Sequence, residues 1–124
     1  MYELKVASRF AAAHNLRNFY GKCEDLHGHN WLVEVFVRSD QLDNAELVMD
    51  FGVIKKHLAG VLDEIDHKYL NELPFFQENN PSSENIARFI FTRLAPQVNQ
   101  GSVKLYKVAA WESENSCAAY IPEP

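Results

Sequence analysis

Hydrophobic and polar positions alternate from the first residues of the chain. Tyr2, Leu4, Val6, Ser8 and Phe10 fall on one side of a segment that runs to Ala13, the period-two pattern of a strand with one buried face. Residues 14–26 break the pattern with Asn15, Asn18, Gly21, Lys22 and Asp25, a polar loop long enough to suggest function. His27 to Ser39 alternates again: His29, Trp31, Val33, Val35 and Val37 on one side, Asn30, Leu32, Glu34, Phe36 and Arg38 on the other. Both faces carry bulk, which suits a strand packed on helices on one side and on another subunit on the other.

The period then changes to that of helices. After a turn over 40–44 and a short extended piece at Leu47-Val48-Met49, Asp50 is placed to cap a helix. Val53, Ile54, Leu58, Val61, Leu62 and Ile65 form its apolar stripe, ending near Asp66-His67. A loop from Asn71 to Pro81 follows. Ser82 or Ser83 caps a second helix with Ile86, Phe89, Ile90 and Leu94 inward, and Pro96 marks its expected end. Ser102 to Trp111 and Ser116 to Ile121 are β-rich runs joined by the turn-prone 112–115. The order ββααββ predicts an α+β fold, an antiparallel sheet with both helices on one face.

Composition adds bounds to this picture. A length of 124 residues suits one domain, 1–124. With 47% hydrophobic and 23% charged residues the chain is ordinary globular material. The net charge of −5 argues against nucleic-acid and membrane-surface binding. No apolar run approaches the ~18–20 residues of a membrane span, and the N-terminus lacks a signal-peptide layout, so a cytoplasmic location is expected. Two cysteines, Cys23 and Cys117, make no disulfide framework and are read as free thiols.

The candidate chemistry lies in Cys23-Glu24-Asp25-Leu26-His27-Gly28-His29. Two histidines one residue apart on a strand point to one face, which is chelating geometry. His14, closing the first strand, is a candidate third imidazole. Three neutral imidazoles leave one tetrahedral position of Zn²⁺ open, the mark of a catalytic zinc. Cys23 in the adjoining polar loop is a candidate base; as a fourth ligand it would instead close a structural site. Asp66-His67 reads equally as a solvated helix end and as an acid–base pair with an oriented imidazole. Glu112 is either a strand-end charge or a carboxylate able to accept two parallel N–H bonds from a 2-amino-4-oxo pyrimidine. Ser82, Ser83 and Glu84 are most simply capping groups.

Together these residues resemble the pterin synthases, the family of 6-pyruvoyltetrahydropterin and bacterial 6-carboxytetrahydropterin synthases. The resemblance is carried by Phe10 to His14, Cys23 to His29, Met49-Asp50-Phe51, Leu62 to Asn71, Pro81 to Asn85 and Trp111-Glu112. It implies a tunnelling fold assembled into a homohexamer with intersubunit active sites. It also implies zinc on His14, His27 and His29, Cys23 as the proton-abstracting thiolate, Asp66 and His67 as a second acid–base group, and Glu112 with Ser82 and Ser83 binding the pterin. The substrate so implied is dihydroneopterin triphosphate, its phosphates near Arg17, Lys22 or Lys68. The lone cysteine before His-Gly-His is similar to the 6-carboxytetrahydropterin branch of queuosine and deazapurine synthesis. Glu24 is similar to the branch that forms 6-hydroxymethyldihydropterin for folate, so a dual function is the alternative. The 6-pyruvoyl product and a zinc- or pterin-binding module without catalysis are the remaining alternatives.

Overall fold

The computed structural model describes residues 1–123. Its strands are β1 (Tyr2–His14), β2 (His27–Ser39), β3 (Lys68–Tyr69), β4 (Lys104–Ser113) and β5 (Ser116–Tyr120). Its helices are α1 (Phe51–Leu62), α2 (Pro74–Glu78) and α3 (Ser83–Val98). The strands form one sheet in the order β3-β1-β2-β4-β5. The β1–β2, β2–β4 and β4–β5 pairs are antiparallel, as expected. The β1–β3 pair is parallel and was not foreseen, because two residues are too short to show a period.

The long helices α1 and α3 lie on one face of the sheet, against β1 and β4 respectively. Their stripes explain why. Ile54, Leu58, Val61 and Leu62 of α1 and Ile86, Ile90 and Leu94 of α3 are buried against Val6, Phe10, Trp31, Val33, Val35 and Val37 of the sheet. Truncation in this layer leaves a cavity that the sheet cannot fill. Leu58→Ala is therefore expected to destabilise by about 2–5 kcal/mol, read as a lower urea midpoint with an unchanged slope.

Both long helices start where a side-chain oxygen satisfies a free N–H. Asp50 accepts from Gly52 N–H at 2.8 Å and Ser82 from Asn85 N–H at 3.2 Å. Four features depart from the sequence reading. α1 ends at Leu62, and 63–67 continue as hydrogen-bonded turns. The 71–81 stretch holds a 3₁₀ turn (Leu70–Glu72) and α2, with Pro74 at the start of α2. Residues 47–49 form no strand. α3 also runs past Pro96 to Val98. Pro96 is exposed in the last turn, so the lost bond is to a single carbonyl, that of Thr92, on the solvent side.

Candidate active site

The β1–β2 register sets His14 opposite His27 and Ala12 opposite His29. Residues directly opposite share a sheet face, and so do residues two apart on one strand. The three rings therefore converge, with centroids 4.6 Å (His14–His27), 5.3 Å (His14–His29) and 4.8 Å (His27–His29) apart. Trp31, fully buried, forms the floor, edge-on to His14 and His29 at 4.9 and 5.2 Å.

Backbone carbonyls set two of the tautomers. His14 Nδ1 lies 2.7 Å from the Pro81 carbonyl and His27 Nδ1 2.8 Å from the Asp25 carbonyl. A carbonyl only accepts, so each Nδ1 carries the proton and each Nε2 keeps its lone pair, the arrangement that orients metal-binding imidazoles. His14 Nε2 is buried without a hydrogen-bond partner, and so is His29 Nε2. Glu112 Oε1 comes within 2.8 Å of His29 Nε2, but outside hydrogen-bond geometry, so proximity alone does not satisfy that nitrogen. One ligand atom from each of His14, His27, His29 and Glu112 falls within 4.8 Å of the others. Two imidazoles of fixed tautomer, His14 and His27, and the orphaned Nε2 atoms of His14 and His29, gathered with a carboxylate, fit a Zn²⁺ ion.

Burial pushes the His14 pKa below its ordinary value of 6.5, and the neighbouring His27 and His29 push the same way against the Pro81 hydrogen bond and Glu112. Below pH 6.5 the unfolded chain takes up a proton that the folded, metal-free chain resists, so folding stability falls as pH falls. The metal-free protein is expected to lose melting temperature as pH drops below 6.5, and zinc is expected to suppress that loss until acid displaces it. Thermal melts with and without zinc across this window check the expectation.

Glu112 lies where the β4–β5 register shifts, between the pairs Trp111–Cys117 and Ser113–Ser116. That irregularity leaves it without a cross-strand partner, and bulged positions are where strands re-aim side chains. Its Oε2 accepts from Ser83 Oγ at 3.3 Å. A cavity of about 350 Å³ opens in front, walled by His14, Leu16, Glu24, Ser82, Ser83 and Glu112, with Cys117 at its side.

Residues 3–123 match the family described as 6-pyruvoyl tetrahydropterin synthase. The chain belongs to this family. It is 39% identical over 117 residues to 6-carboxy-5,6,7,8-tetrahydropterin synthase of Synechocystis sp., covering 90% of this chain and 87% of that protein. It is 38% identical over 103 residues to dihydroneopterin monophosphate aldolase of Pyrococcus furiosus, covering 83% and 82%. The solved structure of Caenorhabditis elegans 6-pyruvoyl tetrahydropterin synthase superposes with a TM-score of 0.85 at 28% identity, covering 98% of this chain and 96% of that one. The protein is thus a pterin-processing enzyme of this family, and its cluster of His14, His27, His29 and Glu112 is a candidate metal site consistent with the family's zinc. Among the described residues no helix is long and apolar enough to cross a membrane.

The other predicted site residues divide into two places. Glu24 is half-buried on the cavity wall, its Oε1 accepting from Leu16 N–H at 3.1 Å and lying 3.9 Å from His27 Nδ1. Cys23 beside it is exposed. Asp66 and His67 sit across the sheet edge, at the β3 side of β1, and contribute nothing to this cavity. Asp66 is held below the usual carboxylate range, first by the Ala11 N–H at 2.9 Å and then by His67, whose Nδ1 is 3.0 Å away. His67 has a left-handed backbone, φ 57°, and an 81% exposed ring. Such a conformation costs a β-carbon-bearing residue of order 1–3 kcal/mol and is kept where its surroundings enforce it.

Sequence reasoning missed Cys117 as a cavity residue. The available signal was the hairpin, whose tight turn folds Ser116 and Cys117 back beside Glu112.

Proposed function

We propose that the protein converts 7,8-dihydroneopterin triphosphate and water to 6-carboxytetrahydropterin, releasing triphosphate and acetaldehyde. The observation that carries this reading is the cluster of three imidazoles and Glu112, of which His14 and Glu112 wall a cavity that Ser82 and Ser83 also line. Such a site offers a metal position and a hydrogen-bonding anchor side by side. The likeness to 6-carboxy-5,6,7,8-tetrahydropterin synthase over 90% of the chain supports this product.

In this mechanism Glu112 accepts the paired N–H groups of the pterin ring, and Ser83 Oγ, already 3.3 Å away, steadies the carboxylate. When bound by His14, His27 and His29, zinc supplies Lewis acidity that lowers the pKa of a side-chain hydroxyl. Cys23, as thiolate, removes a proton from the substrate side chain. His67, oriented by Asp66, moves that proton on as unsaturation passes from ring to side chain. Asp66 and His67 do not line the cavity of Ser83 and Glu112; His67 lines a separate groove with Gly28 and His29, and its exposed ring there supports a site completed by a second subunit in a homohexamer. Arg17, Lys22 and Lys68 remain the candidates to meet the triphosphate.

The position of Glu24 favours a second reading. Its carboxylate faces the cavity while Cys23 is exposed, which suits an additional cleavage to 6-hydroxymethyldihydropterin. The relative named as an aldolase supports carbon–carbon cleavage as chemistry for this fold.

The anchor is tested by binding. Glu112→Gln replaces a charge-assisted pair of hydrogen bonds and is expected to weaken pterin affinity about 10- to 100-fold. Titration of intrinsic pterin fluorescence reads the change, and unchanged affinity would remove Glu112 from this role.

A further inference from the structure

The hydrogen-bond ladder on the outer edge of β1 does not stop where the strand does. Alternate residues present both backbone groups to the same edge, and here those are the odd-numbered ones. Ala11 N–H donates to Asp66 Oδ1 and its carbonyl accepts from His67 N–H. Ala13 pairs with Tyr69 of β3. Past the last strand residue, Asn15 N–H donates to Asn71 Oδ1 at 3.0 Å, and Asn71 Nδ2 donates back to the Asn15 carbonyl at 2.8 Å. Arg17 is held in the same way by Asn80, at 2.9 and 2.7 Å. Between them Leu16 turns the other way. Its N–H donates to Glu24 Oε1 at 3.1 Å and its carbonyl accepts from Glu24 N–H at 2.8 Å.

A carboxamide carries one acceptor and a donor side by side, as a peptide does. Two asparagine side chains thus stand in for a neighbouring strand across 15–17. Each is itself anchored. Asn71 closes the segment that carries Asp66 and His67. Asn80 precedes Pro81, which disfavours helical backbone before it, and the Asn80 carbonyl accepts from Asn85 Nδ2 of α3 at 2.9 Å. The Pro81 carbonyl in turn holds His14.

We propose that Asn71 and Asn80 are positioning residues for the reaction. They extend strand pairing beyond His14 so that Leu16 is fixed on the cavity wall, and Leu16 in turn fixes the carboxylate of Glu24 and the loop bearing Cys23. The proposal rests on the pterin reading above for the reaction affected, but the clasp can be measured without it. Neither asparagine lines the cavity, and the pterin anchors lie on β4 and at the start of α3, so releasing the loop acts on chemistry and on any triphosphate contact of Arg17 or Lys22, and leaves binding of the pterin ring in place.

The test compares Asn71→Ala, Asn80→Ala and their double variant with Asn71→Asp and Asn80→Asp, which keep the acceptor and lose the donor. Amide hydrogen exchange within 15–24 is expected to rise at least about tenfold in the double variant, since local opening sets that rate. Zinc content is expected to stay at the wild-type level. For dihydroneopterin triphosphate, kcat is expected to fall about 100-fold, the scale set by small misplacement of reacting groups, while affinity for dihydroneopterin without its phosphates, read by pterin fluorescence, changes less than about threefold. The Asp variants, which also guard against a double variant that fails to fold, should recover part of both effects. Unchanged exchange would overturn the clasp, and fast exchange with wild-type kcat would overturn its catalytic role. If the wild-type protein turned over no such substrate, the functional reading would fall while exchange still decided the clasp.

Discussion

Replacing His29 by alanine is expected to strip the protein of zinc and of turnover together. His29 Nε2 is, with His14 Nε2, one of two orphaned buried imidazole nitrogens among the described residues, and Glu112 at 2.8 Å does not satisfy it. Loss of a partner behind a ligand already costs about 10- to 100-fold in metal affinity, so loss of the ligand itself should exceed about 100-fold. His57→Ala is the control, because His57 bonds Gln97 on the far helices at 2.9 Å and is expected to leave zinc untouched. Competition against a chromophoric chelator measures both. Full zinc content and full activity in His29→Ala would remove the metal assignment.

The second large effect concerns Cys23 and Glu24, the proposed acid–base residues. Cys23→Ala is expected to slow formation of 6-carboxytetrahydropterin by about 10²- to 10⁴-fold, the usual contribution of a positioned base. Zinc and pterin binding should survive, since Cys23 touches neither the imidazole cluster nor the cavity wall in its own chain. Glu24→Ala should abolish any 6-hydroxymethyldihydropterin while sparing most of the 6-carboxy product. A Cys23→Ala protein with wild-type rates would transfer the base role elsewhere, and Cys117 on the cavity wall is the next thiol to examine.

Much of this arrangement was legible in the sequence because it follows from short-range rules. The His-Gly-His pair reads as chelating once it is placed on a strand, since period two sends both rings to one face. Asp50 and Ser82 announce their helices because an unsatisfied N–H at a helix start needs a side-chain oxygen. Other features depend on partners distant in the chain and leave no local trace. β3 exists because Lys68 and Tyr69 meet Ala12 and Ala13, more than fifty residues earlier. The tautomer of His14 is set by a carbonyl 67 positions away. Pro96 misled as a helix end because the cost of its missing N–H depends on where the abandoned carbonyl faces. Asn71 and Asn80 look like ordinary loop residues until the backbone they bind is in view.

Metal-dependent pterin chemistry in this cavity is the central claim. The most direct measurement incubates zinc-loaded protein with dihydroneopterin triphosphate under anaerobic, reducing conditions, identifying pterins by mass and assaying acetaldehyde and triphosphate. The expected result is 6-carboxytetrahydropterin with matching acetaldehyde and triphosphate, lost on zinc removal and restored by its return. Intact substrate despite bound zinc would contradict the catalytic reading and leave a binding module.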